Sequence, residues 1–349
     1  MHLIKPRALR PGDRLAAVTL SWGGPGAHPH RYRAGKRQLE EAFGVRVVEM
    51  PHALKAPDWV AAHPEARAQD LMDAFADPAI AGIVSTIGGD DSIRLLRHLD
   101  LGVIRENPKV FLGYSDTTVT HLACLKAGLV SFYGPAVMAG FGENGGLFPY
   151  MAEWLRRTLS SAEPVGVVEP NPNGWTEELL DWGNPEHQDR KRALTPTSGW
   201  RWLQGAGARR GRLLGGCLEV LEFVRGTPVW PTPEAWDGAI LFLETSEDAP
   251  PPAAVTYALR SYAAMGILHR LGGLLFGRPG GRLPVERFAD YDDAILKVVA
   301  REEGLSELSI VTGMDFGHTD PMFVLPYGVE AELDGEGKRF SIVEAAVRR

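Results

Sequence analysis

Cysteine is scarce in this sequence: Cys124 and Cys217 are the only two among 349 residues. Two thiols make neither a disulfide framework nor a four-cysteine zinc site, so a reducing compartment is expected, and the cytoplasm is the expected location. Long apolar runs are missing as well. Nowhere do roughly 18 apolar residues follow one another, and the first stretch, MHLIKPRALRPGDRLAAV, is broken by Lys5, Arg7, Arg10, Asp13 and Arg14 before an apolar signal core forms. Neither export nor a membrane span is expected. Positive charge is in deficit: 37 Lys and Arg stand against 44 Asp and Glu, for a net charge of −7. Binding to nucleic acid in general needs clustered basic side chains, so a small molecule or a short peptide is the better-fitting partner. A GxGxxG fingerprint is absent, which counts against a dinucleotide enzyme, and no two histidines have the spacing of a zinc helix motif. No cofactor and no metal are expected.

What is present is a regular alternation. Between residue 14 and about 160, the bursts RLAAVTLS, VRVVEM, AIAGIVSTIGG, KVFLGYS and LVSFYGP read as strands. Segments with helical spacing separate them, such as Ala66, Leu71, Met72 and Phe75 after His63-Pro64. Strands that alternate with helices imply right-handed crossovers and a parallel sheet, with ligands beyond the carboxyl ends of its strands. Residues 161–212 differ, with five prolines and four of the nine tryptophans. Long irregular segments in compact proteins usually serve function, and tryptophan argues against disorder. Beyond them, AILFLET, LGGLLFG and LSIVTGMDFG read as strands, with helices near 252–265 and 287–303 and a closing hairpin of VEAEL and RFSIVE. The expected class is α/β. An N-terminal doubly wound, mostly parallel, flavodoxin-like sheet domain covers 1–160, a linker carrying a tryptophan-rich excursion or lid covers 161–212, and a smaller C-terminal α/β domain covers 213–349.

Three polar residues stand where apolar strands end. Ser115 in VFLGYSDTT follows a buried strand at a corner into a helix, a place that suits a nucleophile, although on spacing alone a serine there is more often a helix cap. A serine hydroxyl also needs a base, and the base an orienting acid. His318 in GMDFGHTDPM lies in a loop just past a strand, whereas His28, His30, His52 and His63 lie in polar or proline-bounded loops and read as surface residues. Glu244 closes the apolar strand AILFLE, where an unpartnered carboxylate would be costly, and a histidine is one candidate partner.

These stretches, together with SFYGPAVMAGF, STIGGDDSIRLL, LLGGCLEVL, GILHRLGGLLFGRP and DFGHTDPMFVLPYGVEAELD, resemble in order the LD-carboxypeptidase family of serine peptidases, and most closely its microcin C immunity branch. The resemblance implies a Ser-Glu-His triad of Ser115, Glu244 and His318. It also implies an oxyanion hole in which Gly89, from the Gly88-Gly89 pair, joins the backbone N–H of Asp116 at the start of the new helix. Base stacking on tryptophan is a property of the branch, and WTEELLDW places Trp175 and Trp182 seven residues apart as the branch does. Trp200 and Trp202 are expected only to pin the excursion, and Arg190, Lys191 and Arg192 to form a solvated face rather than a phosphate site. The implied protein is a homodimeric hydrolase that cleaves amide bonds of aminoacyl or peptidyl nucleotides, giving self-immunity or detoxification. Release of terminal D-alanine from murein tetrapeptide is the alternative reaction. A non-catalytic binding module is a third reading, against which the complete triad argues.

Overall fold

A computed structural model describes residues 3–349. Fourteen strands follow one another along the chain: β1 Arg14–Val18, β2 Arg46–Glu49, β3 Gly82–Ser85, β4 Val110–Gly113, β5 Ser131–Tyr133, β6 Gly166–Val168, β7 Arg201–Gln204, β8 Ala208–Cys217, β9 Ile240–Glu244, β10 Gly273–Gly277, β11 Ile310–Met314, β12 Leu325–Tyr327, β13 Glu330–Asp334 and β14 Arg339–Ile342. Helices fill most of the connections in the first third. Those at Pro29–Phe43, Pro57–Ala62 and Pro64–Ala76 each begin on proline, whose fixed φ and missing N–H suit a first helical turn. The helix Thr118–Ala127 ends on Gly128 at φ 86°, a left-handed cap that glycine adopts without steric cost.

The first sheet has six strands in the order β12-β5-β4-β3-β1-β2. β1 through β5 run parallel, and β12 pairs antiparallel with β5. Within the parallel part the order is 2-1-3-4-5, as in flavodoxin-like folds. Both faces are covered, which is why these strands read as continuous apolar runs rather than as alternations. Ala17, Val84 and Leu112 point into one apolar cluster, while their neighbours Ala16, Val18, Ile83 and Phe111 point into another.

The second sheet has eight strands in the order β6-β14-β13-β8-β9-β10-β11-β7. Its centre, β8 to β11, is parallel, and the hairpin of β13 and β14 lies antiparallel beside β8. An α/β chain with a parallel first sheet, a mixed second sheet and a terminal hairpin is what the alternation predicts. Two details differ from the sequence reading. The proline-rich 161–212 stretch supplies both edge strands of the second sheet, β6 and β7, and the start of β8. In addition, Leu325–Tyr327 leaves the second sheet to border β5 of the first. Strands of three or four residues at an edge need little apolar periodicity, so they are hard to see in sequence. No helix among the described residues is long and apolar enough to cross a membrane.

Candidate active site

The site lies where the carboxyl ends of β1, β3 and β4 meet those of β8 and β9, across a cavity of about 790 Å³. β4 ends at Gly113, and the chain then turns so sharply that Ser115 takes φ 62°. A left-handed conformation costs a residue with a Cβ on the order of 1–2 kcal/mol, and here it is held from both sides. The Ser115 N–H donates to the Tyr133 hydroxyl at 3.0 Å, and the Ser115 carbonyl accepts from Thr118 Oγ1 at 2.7 Å. Thr118 Oγ1 in turn accepts the N–H of Cys217 at 3.1 Å, which ties this corner to the end of β8. Ser115 makes no capping bond to the helix it precedes. Its Oγ lies instead 3.1 Å from Nε2 of His318.

His318 Nδ1 is 2.6 Å from Oε2 of Glu244, and Oε1 of the same carboxylate accepts the Tyr133 hydroxyl at 2.5 Å. Glu244 is fully buried, so both of its oxygens require partners. Glycines make the space. A Cβ on Gly317, which sits at φ 96°, would lie 2.7 Å from the Glu244 Cβ, and one on Gly277 would lie 2.9 Å from it. Burial by itself lowers the affinity of His318 for a proton. The carboxylates of Glu244, Glu247 and Glu219 outweigh that effect and push its pKa up to about 9. Tyr133, pushed far above the usual phenol range mainly by burial, remains a neutral donor. Ser115, His318 and Glu244, expected together from sequence, therefore stand in one hydrogen-bonded line. Tyr133 joins the two ends of that line, and the sequence reading passed over it.

Gly88 lies directly over the serine: a Cβ there would be 3.0 Å from Ser115 Oγ and 3.6 Å from the Asp116 nitrogen. Gly89 takes φ 142°, and a Cβ on it would lie 2.3 Å from Ser21 Oγ, so only glycine fits. The N–H groups of Gly89 and Asp116 donate to no protein acceptor among the described residues. The Asp116 side chain has a separate task. Its carboxylate accepts the N–H groups of Asp91 at 3.0 Å and Ser92 at 2.8 Å, which holds the glycine loop against the serine corner.

The tryptophans divide. Trp182 lines the cavity, with the Arg31 guanidinium 4.2 Å from its ring centroid and Trp22 stacked at 6.5 Å with planes 28° apart. His28, half-buried, meets Trp182 edge-on from outside the cavity. Arg31 is fixed by bonds to the Met138 carbonyl at 2.9 Å and to Asn144 Oδ1 at 2.7 Å, and burial pulls its pKa down to about 10. Trp175 is not brought to the site, contrary to its assignment as a substrate-binding residue. Its indole is buried between Phe288 at 5.6 Å and the Arg278 guanidinium at 4.8 Å, because the strand-like pairing of Trp175 with Thr195 turns it into the second sheet's side. Trp200 donates Nε1–H to Asp315 at 2.8 Å and packs on Phe323, a pinning role. Arg192 is not solvated: it is buried against Glu143 and reaches Asp320 Oδ2 at 2.6 Å, while Arg190 pairs with Glu178 on the surface. With its charge compensated twice over, Arg192 braces the cavity wall. Sequence reasoning also missed Trp22 and Arg31, which lie in and after the loop that follows β1, a position the flavodoxin-like strand order marks as a ligand edge.

The LD-carboxypeptidase N-terminal domain profile matches residues 15–134, and the LD-carboxypeptidase C-terminal domain profile matches residues 210–333. The microcin C7 self-immunity protein MccF of Escherichia coli is 30% identical over 80% of this chain and 78% of its own. A Bacillus subtilis protein named as a probable murein peptide carboxypeptidase is 26% identical over 98% of this chain and 95% of its own. An MccF-like protein from Streptococcus pneumoniae, solved in complex with AMP, is 30% identical, covers 95% of this chain and 98% of its own, and superimposes with a TM-score of 0.83. MccF itself, solved with aspartyl sulfamoyl adenosine, superimposes with a TM-score of 0.82 at 26% identity, over 99% of this chain and 100% of its own. The chain thus belongs to the LD-carboxypeptidase family, the S66 serine peptidases.

Proposed function

We propose that this hydrolase cleaves the amide-type bond between an aminoacyl or short peptidyl group and a nucleotide, with Ser115, His318 and Glu244 as its catalytic triad. The observation that carries the reading is the aromatic wall of Trp22 and Trp182, backed by Arg31, which opens onto the same cavity as the Ser115 hydroxyl. A nucleobase stacks on such faces with roughly 1–3 kcal/mol per base, whereas a murein peptide offers no comparable plane. Two structural relatives carry AMP and aspartyl sulfamoyl adenosine, which supports the same class.

Ser115 Oγ attacks the carbonyl carbon while neutral His318 takes the hydroxyl proton on Nε2. The carbonyl oxygen becomes an oxyanion, received by the free N–H groups of Gly89 and Asp116, each such donor being worth about 3 kcal/mol to the transition state. His318 then returns the proton to the leaving nitrogen as the carbon–nitrogen bond breaks. Water, activated by the same imidazole, releases the acyl group from Ser115. Glu244 keeps the ring in the tautomer with hydrogen on Nδ1 and stabilises the imidazolium. The purified protein should hydrolyse aminoacyl sulfamoyl adenosine with kcat/KM at least tenfold above that for murein tetrapeptide at equal pH. The reverse order would make it a murein carboxypeptidase and leave the aromatic wall without a base to bind.

A further inference from the structure

Glu247 touches the catalytic base without belonging to the triad. It lies three residues beyond Glu244, in the loop after β9. Its side chain is 75% exposed, yet Oε2 rests 3.1 Å from Nε2 of His318. That nitrogen also faces Ser115 Oγ at 3.1 Å. A neutral imidazole that donates Nδ1–H to Glu244 has only a lone pair at Nε2, and a carboxylate oxygen 3.1 Å from a lone pair is repelled. The contact is favourable only when Nε2 carries a proton. A base in that state cannot accept the proton of serine.

We propose that Glu247 latches the base: in the resting enzyme its carboxylate holds His318 doubly protonated, and the free α-ammonium of an aminoacyl substrate releases the ring by taking Glu247 as its own partner. The inference rests on the aminoacyl-nucleotide reading for its second half and narrows that reading to acyl groups with an unblocked amine. Distance permits the exchange. Two 3.1 Å steps through Nε2 separate the Glu247 oxygen from Ser115 Oγ, and an α-nitrogen lies two covalent bonds from the carbonyl carbon that Ser115 attacks. Glu247 makes no other polar side-chain contact among the described residues, so its withdrawal breaks nothing else.

The other charged groups around the ring do not replace it. Glu244 is bound on Nδ1, and Glu219 is committed to the N–H and hydroxyl of Ser246 at 3.0 and 2.5 Å. The Tyr114 ring packs on His318 at 5.0 Å, and Asp320 is paired with Arg192. Asp248 and Arg282 line the same cavity from its exposed rim. The carboxylates that push the His318 pKa up to about 9 favour the protonated ring in the resting enzyme near neutral pH.

The test has two arms. In the first, the His318 ring of the free enzyme is titrated by NMR, with its signals identified by their loss in His318→Gln. A facing carboxylate within 4–6 Å moves a pKa by about 1 to 3, so removing this exposed one in Glu247→Gln should lower the midpoint by about one pH unit. An unchanged midpoint overturns the latch whatever the substrate is. In the second arm, kcat against pH is measured for aminoacyl sulfamoyl adenosine and for its N-acetyl analogue, because kcat reports the bound complex. The wild type should show its acid limb at distinctly lower pH with the free amine than with the blocked one. In Glu247→Gln the two limbs should coincide, and the N-acetyl compound should gain about tenfold at pH 7. Coincident limbs in the wild type, with both compounds cleaved, overturn release by the ammonium and leave the nucleotide reading standing. Cleavage of neither compound overturns that reading and release with it, while the titration still decides the latch.

Discussion

The two halves of the cavity are built on opposite principles. The side chains of Ser115, His318, Glu244 and Tyr133 each meet a specific partner, glycines occupy the positions where a Cβ would collide, and the contacts run from 2.5 to 3.1 Å. Around Trp182 there are ring faces, a stacked guanidinium and a tryptophan that is 36% exposed, with separations of 4.2 to 6.5 Å. The first half fixes reacting atoms, for which a displacement of about 1 Å can cost a hundredfold in rate. The second half binds by area, which tolerates displacement and changes affinity gradually. On the proposed reading, reaction type is held in the part of the molecule least able to vary, and substrate choice in the part most able to.

If that contrast is right, substitutions in the first half change kcat and those in the second change KM. Ser115→Ala should have the largest effect, a loss of at least a thousandfold in kcat with the thermal midpoint almost unchanged, as measured by single-turnover hydrolysis and calorimetry. Ser115→Gly should be equally inactive but more stable by about 1 kcal/mol, since glycine carries no penalty at φ 62°. Equal stability of the two variants would remove the claim that the corner is strained.

Tyr133→Phe comes next. It deletes the donor to Glu244 Oε1 and the acceptor of the Ser115 N–H together, leaving a buried carboxylate oxygen short of a partner at a cost of about 1–3 kcal/mol. A fall in kcat of roughly ten- to a hundredfold, with KM for the nucleotide substrate within twofold, is expected from steady-state kinetics. A change confined to KM would place Tyr133 in binding instead.

Much of this arrangement is legible in the chain, for identifiable reasons. The parallel core of the first sheet is visible because strands covered on both faces must be apolar throughout, as in Val110 to Leu112. Ser115, Glu244 and His318 stand out as polar residues at or just past such runs, but their grouping into a triad rests on the ordered resemblance to the family and not on the local pattern. Tyr133 belongs to the same class of signal, since its strand lies beside β4 with Gly113 opposite Tyr133, but that adjacency follows from pairing register and not from local pattern. Trp175 and Trp182 look alike in sequence. Only the pairing of Trp175 with Thr195, twenty residues on, decides that one indole is buried and the other faces the cavity. Edge strands β6, β7 and β12 are set by tertiary pairing and leave little periodicity to read.

Trp182 tests the tolerant half. Trp182→Ala should raise KM for aminoacyl sulfamoyl adenosine about tenfold with a smaller change in kcat, the lower end of the stacking range. Trp182→Phe, which keeps a ring face under Arg31, should recover most of the affinity. Hydrolysis of a murein peptide, if measurable, should be indifferent to both. Equal losses on the two substrates would mean that Trp182 only supports the loop.

The smallest effect is expected at Trp22, and it tests whether the wall acts as one surface. Its backbone N–H is bonded to the Gly88 carbonyl at 3.1 Å, so Trp22→Ala leaves the loop anchored beside the glycine pair and removes only the ring. The ring stacks with Trp182 at 28° and is partly open to solvent, so its loss should raise KM for the nucleotide about threefold and leave kcat in place. If a base contacts both rings, the effects of Trp22→Ala and Trp182→Ala will not add. The double variant should then be weaker or stronger than the product of the two single effects by more than about 0.5 kcal/mol, the limit expected for independent sites. Strict additivity would assign the base to Trp182 alone, with Trp22 as an unengaged neighbour. A fall in kcat on Trp22→Ala would break the division itself, because it would show that the aromatic wall also positions the glycine loop over Ser115.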